Sequence, residues 1–296
     1  MSNLSYMQKA TDRGQLQIHV TTERGFFPIK DASIRLSYTG NPTEIIEELS
    51  TDISGQTAAV ELPAPPLEYS MEPSEFQPYS EYTIQVNASG YRPINISGIS
   101  VLPDKTSIQN VRMETATVGN PLERNIVITA NTLYGNFPPK IPEDEIKPMP
   151  ESGEIVLSRV VIPEYVIVHD GPPSDSSAND YYVRYRDYIK NVASSEIYAT
   201  WPDAALRANI LAIMSFTLNR VYTEWYRNKG YDFTITSSTA FDHKFVYGRN
   251  IFSNISNIVD EMFNSYLSRP NVRQPILTQY CDCLLYTSPS PRDYAA

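Results

Sequence analysis

Residues Tyr185 to Arg227, YRDYIKNVASSEIYATWPDAALRANILAIMSFTLNRVYTEWYR, decide how the second half of the chain is read. Tyr185, Tyr188, Ile189 and Val192 stand near helical spacing and are followed by the small residues Ala193, Ser194 and Ser195, which predicts a helix over 183–197 ending close to Glu196. Trp201-Pro202 then turns the chain, and Asp203 places an acid in the first turn of a second helix, where the helix dipole favours it. Leu206, Ile210, Ile213, Thr217, Val221 and Trp225 recur at steps of three or four up to the stop signal Asn228-Lys229-Gly230. At about 1.5 Å per residue this second helix would be roughly 37 Å long. Between the two helices stands one carboxylate, Glu196, in a run of small residues.

Downstream, FTITSSTAFDHKFVYG (Phe233 to Gly248) reads as an extended, Ser/Thr-rich segment. Ile251 to Leu267 reads as an amphipathic helix or a helix plus a strand, and QPILTQY (Gln274 to Tyr280) as a strand. Upstream, EIVLSRVVIPEYVIVHDGPP reads as two strands around Pro163, so a domain is expected to begin near Glu154; His169-Asp170 close the second of them. Helices first and strands afterwards point to an α+β domain over 154–282. Before it, 115–153 is rich in Pro and acidic residues and shows neither period, which predicts an extended linker in which Glu143-Asp144-Glu145 is a solvated charge run.

The first third reads differently. LQIHV (Leu16 to Val20), ASIRLSY (Ala32 to Tyr38), YTIQVNA (Tyr82 to Ala88) and INISGISV (Ile94 to Val101) are short alternating runs, punctuated by Thr51-Asp52-Ile53-Ser54-Gly55 and Gly90-Tyr91-Arg92-Pro93. This predicts an antiparallel β-sandwich over 12–114 that serves as a glycan-binding or adhesive arm, or as a spacer and platform. His19 is expected to be a strand histidine rather than a ligand.

Composition excludes several classes. A formal net charge of -10 and no Lys/Arg cluster argue against nucleic acid and anionic membranes as partners. The most apolar run, Ala204 to Phe216, is broken by Arg207 and Asn209, so no membrane span is expected. The N-terminus lacks the basic start, apolar stretch and cleavage site of a signal peptide. Without that route the Asn-x-Ser sequons at Asn87, Asn95 and Asn254 carry little weight. Cys281 and Cys283 are too few and too close for a disulfide framework. Residues Cys283 to Asp293, CLLYTSPSPRD, resemble translated read-through of a sequencing adapter, so 283–296 is expected to be a non-native tail, Cys281-Asp282-Cys283 no metal site, and the natural chain to continue past Asp282.

Two resemblances follow from these motifs. The segment 12–114, through its Thr-Asp-x-x-Gly and Gly-Tyr-x-Pro turns, resembles carboxypeptidase-regulatory-like and transthyretin-like sandwiches. Over about 181–282, DYIKNVASSEI (Asp187 to Ile197) followed by WPDAALRAN (Trp201 to Asn209) resembles the stage II sporulation protein D (SpoIID/LytB) family in its helix, acid, aromatic-Pro turn and Ala-rich second helix at matching separations. That resemblance implies a multi-domain protein: a β-sandwich, then a truncated α+β domain of SpoIID type. It implies a bacterial peptidoglycan lytic transglycosylase of cell-wall or spore remodelling, with Glu196 as the single catalytic acid. The rival is a non-catalytic glycan-binding protein of the cell wall or spore surface.

The chemistry suits one carboxylate. Ordinary glycosidases use two. A lytic transglycosylase protonates the glycosidic oxygen with one acid, and the muramic acid's own 6-hydroxyl attacks, leaving a 1,6-anhydro product. Burial near aromatic groups keeps such an acid protonated. Tyr198 and Trp201 flank Glu196 and are candidate sugar platforms, while Trp225 is assigned to packing. The family's Cys-Gln near a Tyr-x-Gly is missing from Ser237 to Gly248, where Tyr247-Gly248 match its end, leaving Ser238, Asp242 and His243 as candidate supporting or substrate-binding residues. The family's later Ser/Gly-rich segment would fall past Asp282, so part of the cleft is expected to be missing, and activity is expected of the full-length parent rather than of this fragment. No metal or cofactor is implied; the expected partner is the peptidoglycan glycan strand, in the cell wall or spore envelope.

Overall fold

The structure of the protein, a computed structural model, describes residues 12–73, 75–117, 123–131, 133, 138–144 and 159–279. In chain order the strands are β1 (Asp12–Thr22), β2 (Ser33–Tyr38), β3 (Asn41–Ser50), β4 (Val60–Ala64), β5 (Ser80–Asn87), β6 (Ile94–Val101), β7 (Thr106–Met113), β8 (Arg124–Val127), β9 (Tyr165–His169), β10 (Asp180–Arg184), β11 (Ile235–Thr236) and β12 (Ile251–Phe252). The helices are α1 (Glu68–Met71), α2 (Tyr185–Glu196), α3 (Asp203–Tyr222) and α4 (Ser253–Met262). The chain divides into two compact units that do not follow chain order. One comprises 1–131, 198–206 and 246–258; the other comprises 132–197, 207–245 and 259–296.

The first unit is a β-sandwich of two sheets, ordered β12-β7-β1-β4 and β3-β2-β5-β6-β8. Period-two alternation places Leu16, Ile18 and Val20 of β1 inward, and they share one core with Ile34 and Leu36, with Tyr82, Ile84 and Val86, with Ile94 and Ile96, and with Val111 and Met113. The expected turn at Thr51 is present: the Asp52 carboxylate accepts from Ser54 N at 2.9 Å and Gln56 N at 3.0 Å, and Gly55 takes φ 74°. β3, at a sheet edge, exposes Glu44, Glu47 and Glu48.

The sandwich is not wholly antiparallel. β1 and β7 pair in parallel over Gln15↔Thr106 to Thr22↔Met113, and β6 and β8 pair in parallel over Ile94↔Arg124 to Ser97↔Val127. Parallel neighbours require a long crossover between them. For β1 and β7 that crossover is the run from β2 to β6. β8 departs from the expectation of an extended linker over 115–153, since Arg124–Val127 completes the second sheet.

A third departure is that 246–258 joins this unit. β12 pairs antiparallel with β7 (Ile251↔Ile108, Phe252↔Ser107), and the Asn250 side chain exchanges bonds with Ser100, accepting from its N at 3.0 Å and donating to its O at 2.9 Å. Tyr247 takes a 2.5 Å bond from Arg124, whose other nitrogen pairs with Glu114. Gly248 is at φ +81°, and a Cβ there would lie 2.6 Å from Ile126 Cγ2, so both its backbone angle and its packing require glycine.

The second unit has a three-stranded sheet, β10-β9-β11, with β10 antiparallel and β11 parallel to β9. Val183 and Arg184 pair with Val166 and Tyr165, so helix α2 begins at Tyr185 and not at Val183. Its inward residues are the expected Tyr185, Tyr188, Ile189 and Val192. α3 ends at Tyr222, short of the expected Arg227, and its length is roughly 30 Å at about 1.5 Å per residue. It stops because Glu224 adopts φ 45°, the left-handed conformation that terminates helices, while Trp225 N closes back on Arg220 O at 3.3 Å. The Asn228-Lys229-Gly230 signal ends a following 3-10 turn, with Gly230 at φ 83°.

Met214 to Arg220 are buried without interruption, the pattern of a helix covered on every side. Phe233 to Gly248 is mostly turns around the two-residue β11, not one extended segment. Gln274 to Gln279 forms no strand and makes only a bridge between Ser268 and Pro275. Residues 154–158, Tyr280, both cysteines and the expected tail lie outside the described residues. Among the described residues, no helix is long and apolar enough to cross a membrane.

Candidate functional site

Glu196 is the last residue of α2. The helix delivers it because its buried face, through Ser194 and Ser195, is packed to the end, and Ile197 leaves at φ -138° with its N–H still closing on Ala193 O at 3.1 Å. The half-buried Glu196 carboxylate accepts the backbone N–H of Lys244 at its Oε1, 2.6 Å away. The loop that carries this donor is itself held by several contacts.

Those contacts centre on Asp242, which is wholly buried. Its Oδ1 accepts Arg220 Nε at 2.6 Å, and its Oδ2 accepts Tyr226 OH at 2.6 Å, Thr236 N at 2.9 Å and Thr236 Oγ1 at 2.7 Å. Arg220 is also wholly buried; it donates Nη1 and Nη2 to Glu143 at 2.7 and 2.8 Å, and Nη2 to Phe241 O at 3.0 Å. Burial opposes its charge, but Asp242 and then Glu143 more than offset that, and the guanidinium is held above its usual range. Burial, reinforced by the Asp242 charge, pushes the Tyr226 phenol upward, so it stays a donor. Glu143 is thus not a solvated charge. Its side chain is 6% exposed and paired, whereas Asp144 is exposed and Glu145 lies outside the described residues.

His243 adjoins this hub. Its Nδ1 lies 3.2 Å from Tyr188 OH, and its ring packs 4.5 Å from that of Phe216. Burial first, then the cations of Lys140 and Arg220, lower its pKa well below the ordinary value, which leaves a neutral imidazole. Tyr188 in turn is pushed well above its ordinary range by burial, then by the charges of Asp242 and Glu196. Ser238 is half-buried, and its carbonyl accepts Phe241 N at 3.0 Å and Asp242 N at 2.8 Å, which starts the loop's turn.

The structure therefore gathers Glu196, Ser238, Asp242 and His243 around one loop of the second unit. Tyr198 and Trp201 belong to the first unit. There Tyr198 is 2% exposed, its ring edge-on to Trp201 at 6.1 Å, and Trp201 donates Nε1 to Ser70 O at 2.9 Å. Trp225 packs against cations, with Lys229 Nζ 3.3 Å from its ring centre. His169 Nδ1 lies 2.8 Å from Asp180 Oδ1, and its ring stacks on Phe233. Sequence reasoning missed the Lys244 N–H, Arg220 and Glu143. An Arg inside the otherwise uncharged run from Ala208 to Tyr222 was the available signal, because a buried guanidinium demands carboxylate partners. Among the described residues no group of His, Cys, Asp and Glu is arranged to hold a metal ion.

Residues 178–261 match the family model described as SpoIID, Stage II sporulation protein. The match takes in Glu196, Tyr198, Trp201, Ser238, Asp242 and His243 and leaves out Glu143. No curated protein matches the sequence. Among solved structures the chain is similar to the Bacillus anthracis TIE protein, at 17% identity over 36% of this chain and 17% of that one, with a TM-score of 0.25. It is similar also to Klebsiella pneumoniae 5-hydroxyisourate hydrolase, at 17% identity over 34% of this chain and 86% of that one, with a TM-score of 0.22. A minor pilin of Streptococcus agalactiae is similar at 12% identity over 38% of this chain and 49% of that one, with a TM-score of 0.25.

Proposed function

We propose that this protein cleaves the MurNAc-GlcNAc bond of peptidoglycan glycan strands as a lytic transglycosylase, with Glu196 as its single acid and base. The observation that carries the reading is the Glu196 carboxylate at the end of a buried helix, oriented by a loop N–H 2.6 Å away, inside the segment that matches the SpoIID model. In the first half of the cycle the Glu196 carboxylic acid gives its proton to the glycosidic oxygen, and the bond from that oxygen to the muramic C1 breaks. In the second half the carboxylate takes the proton of the muramic 6-hydroxyl as its oxygen bonds to C1. Acid and base work is thereby done by one group that ends protonated as it began, and no water is consumed. Ser238 and His243, beside the acid's loop, are proposed to support it or the substrate. The cell wall or the spore envelope is the proposed site of action.

The test is to incubate the full-length parent protein with peptide-stripped glycan strands and to look for anhydromuramyl ends by mass spectrometry. Wild type is expected to produce them, and Glu196→Gln to lower the rate by about 100-fold or more, the usual range for loss of a general acid. Strand binding without anhydromuramyl ends would reject catalysis in favour of a glycan-binding protein, and an unaltered rate in Glu196→Gln would reject the assignment of the acid.

A further inference from the structure

We infer that Glu143 is a positioning residue for Glu196, acting through Arg220 and the 240–244 loop, so that the segment 138–144 is a working part of the site although it lies outside the matched residues 178–261. The inference rests on Glu196 being the acid proposed above. Three consecutive carbonyls of the loop are each held from outside it. Ala240 O accepts Ile141 N at 2.8 Å, Phe241 O accepts Arg220 Nη2 at 3.0 Å, and Asp242 O accepts Lys140 Nζ at 2.5 Å. Two of these donors come directly from 140–141. The third is placed by Glu143, whose two oxygens grip Nη1 and Nη2 side by side and so fix the plane of the guanidinium. With that plane fixed, Nε faces Asp242 Oδ1 and Nη2 faces Phe241 O at the same time.

Lys244 stands two residues beyond the last pinned carbonyl. Its N–H reaches Glu196 Oε1 only for one orientation of the intervening peptide groups, and those orientations are set by what holds 240–242. The burial of both charged partners gives the grip its stiffness: the Arg220 side chain is 0% exposed and that of Glu143 6%. A segment that reads as linker therefore determines where the carboxylate's oxygen points. Breaking the grip leaves the acid in place and lets its orientation drift, a fault that costs turnover and spares binding.

The experiment uses the whole chain in three forms: wild type, Glu143→Gln and Lys140→Met. The second variant removes a loop contact without leaving a buried charge, so it decides the question should Glu143→Gln fail to fold, as thermal melting would report. Two readouts are taken. The first is the Lys244 amide, by its proton chemical shift and its hydrogen exchange; the second is kcat and KM on peptide-stripped glycan strands. In the folded variants the Lys244 amide is expected to lose its downfield shift and to exchange about ten-fold faster or more. kcat should fall between about 10- and 100-fold, the scale of a misplacement near 1 Å, with KM held within about twofold. Glu143→Asp, which keeps the charge, is expected to recover part of the loss. If wild type is active and the folded variants leave both kcat and the Lys244 amide unchanged, the inference is overturned and the proposed function stands. If wild type yields no anhydromuramyl ends, the proposed function fails, and the inference falls with it.

Discussion

Replacing Asp242 by Ala is the sharpest test of how the second unit is held. The change removes four accepted hydrogen bonds at once: from Arg220 Nε, Tyr226 OH, Thr236 N and Thr236 Oγ1. Arg220 keeps Glu143 but loses the carboxylate that is wholly buried with it. Breaking a buried ion pair from one side costs about 3–5 kcal/mol. Each donor left without an acceptor adds about 1–3 kcal/mol before relaxation. These terms overlap, because one collapse of the loop relieves several of them, so about 5 kcal/mol is the expected loss. That is comparable with the whole stability of a small domain, about 5–15 kcal/mol.

Urea denaturation can be followed from within this unit, since the chain's two tryptophans fall in different units: Trp201 in the first and Trp225 in the second. In a Trp201→Phe background, Trp225 reports from beside Arg220, whose guanidinium carbon lies 5.4 Å from its ring centre. With a slope of about 2 kcal/mol per M, the midpoint should fall by about 2.5 M. A fall of less than about 0.5 M would mean that the Arg220 charge finds equivalent partners without Asp242, and would refute the hub.

Two further outcomes follow from geometry already given. His243 is neutral in the fold because burial and its cationic neighbours hold its pKa below 6.5. The unfolded chain gains a proton there that the folded chain refuses, so the contribution is complete above about pH 6.5 and is lost as pH falls, at up to about 1.4 kcal/mol per pH unit. Urea midpoints taken from pH 7 to pH 5 should show that slope and lose most of it in His243→Asn. Gly248→Ala, at φ +81° and with Ile126 Cγ2 2.6 Å from the new methyl, should destabilise the first unit by about 1–3 kcal/mol. Trp201 fluorescence in a Trp225→Phe background checks this, and an unchanged midpoint would contradict the close packing on β8.

Much of this could be read from local pattern. The spacing of Tyr185, Tyr188, Ile189 and Val192, the small residues after them and the Trp201-Pro202 turn locate α2, the acid at its end and the start of α3, because each feature depends on neighbours within a turn or two. The alternation in β1 and the Asp52 turn are local in the same sense. What escaped depends on distance along the chain. Glu143 meets Arg220 across 77 residues, and no period marks a carboxylate for such a meeting, so composition alone labels it solvent-exposed. β8 is only four residues long and gains its strand character from β6. Gln274 to Gln279 has strand-like residues but makes only one bridge, at Pro275 to Ser268, and a strand is made by its partner. α3 was overrun because nothing in Glu224 announces a left-handed residue.

The interleaving of the two units bears on how the protein is made. The chain passes between them at 131/132, 197/198, 206/207, 245/246 and 258/259, so no single cut yields either one whole. A ribosome that has finished β1 to β8 has released most of the sandwich, yet β12, which extends its β7 edge, and Asn250, which pairs with Ser100, are still to be translated. At about 5–20 residues per second that interval is on the order of ten seconds. During that time the β7 edge is open and the site loop does not yet exist. The nascent sandwich therefore has to remain soluble with an edge uncovered, and the carboxylate-bearing β3 protects only the far side of the other sheet.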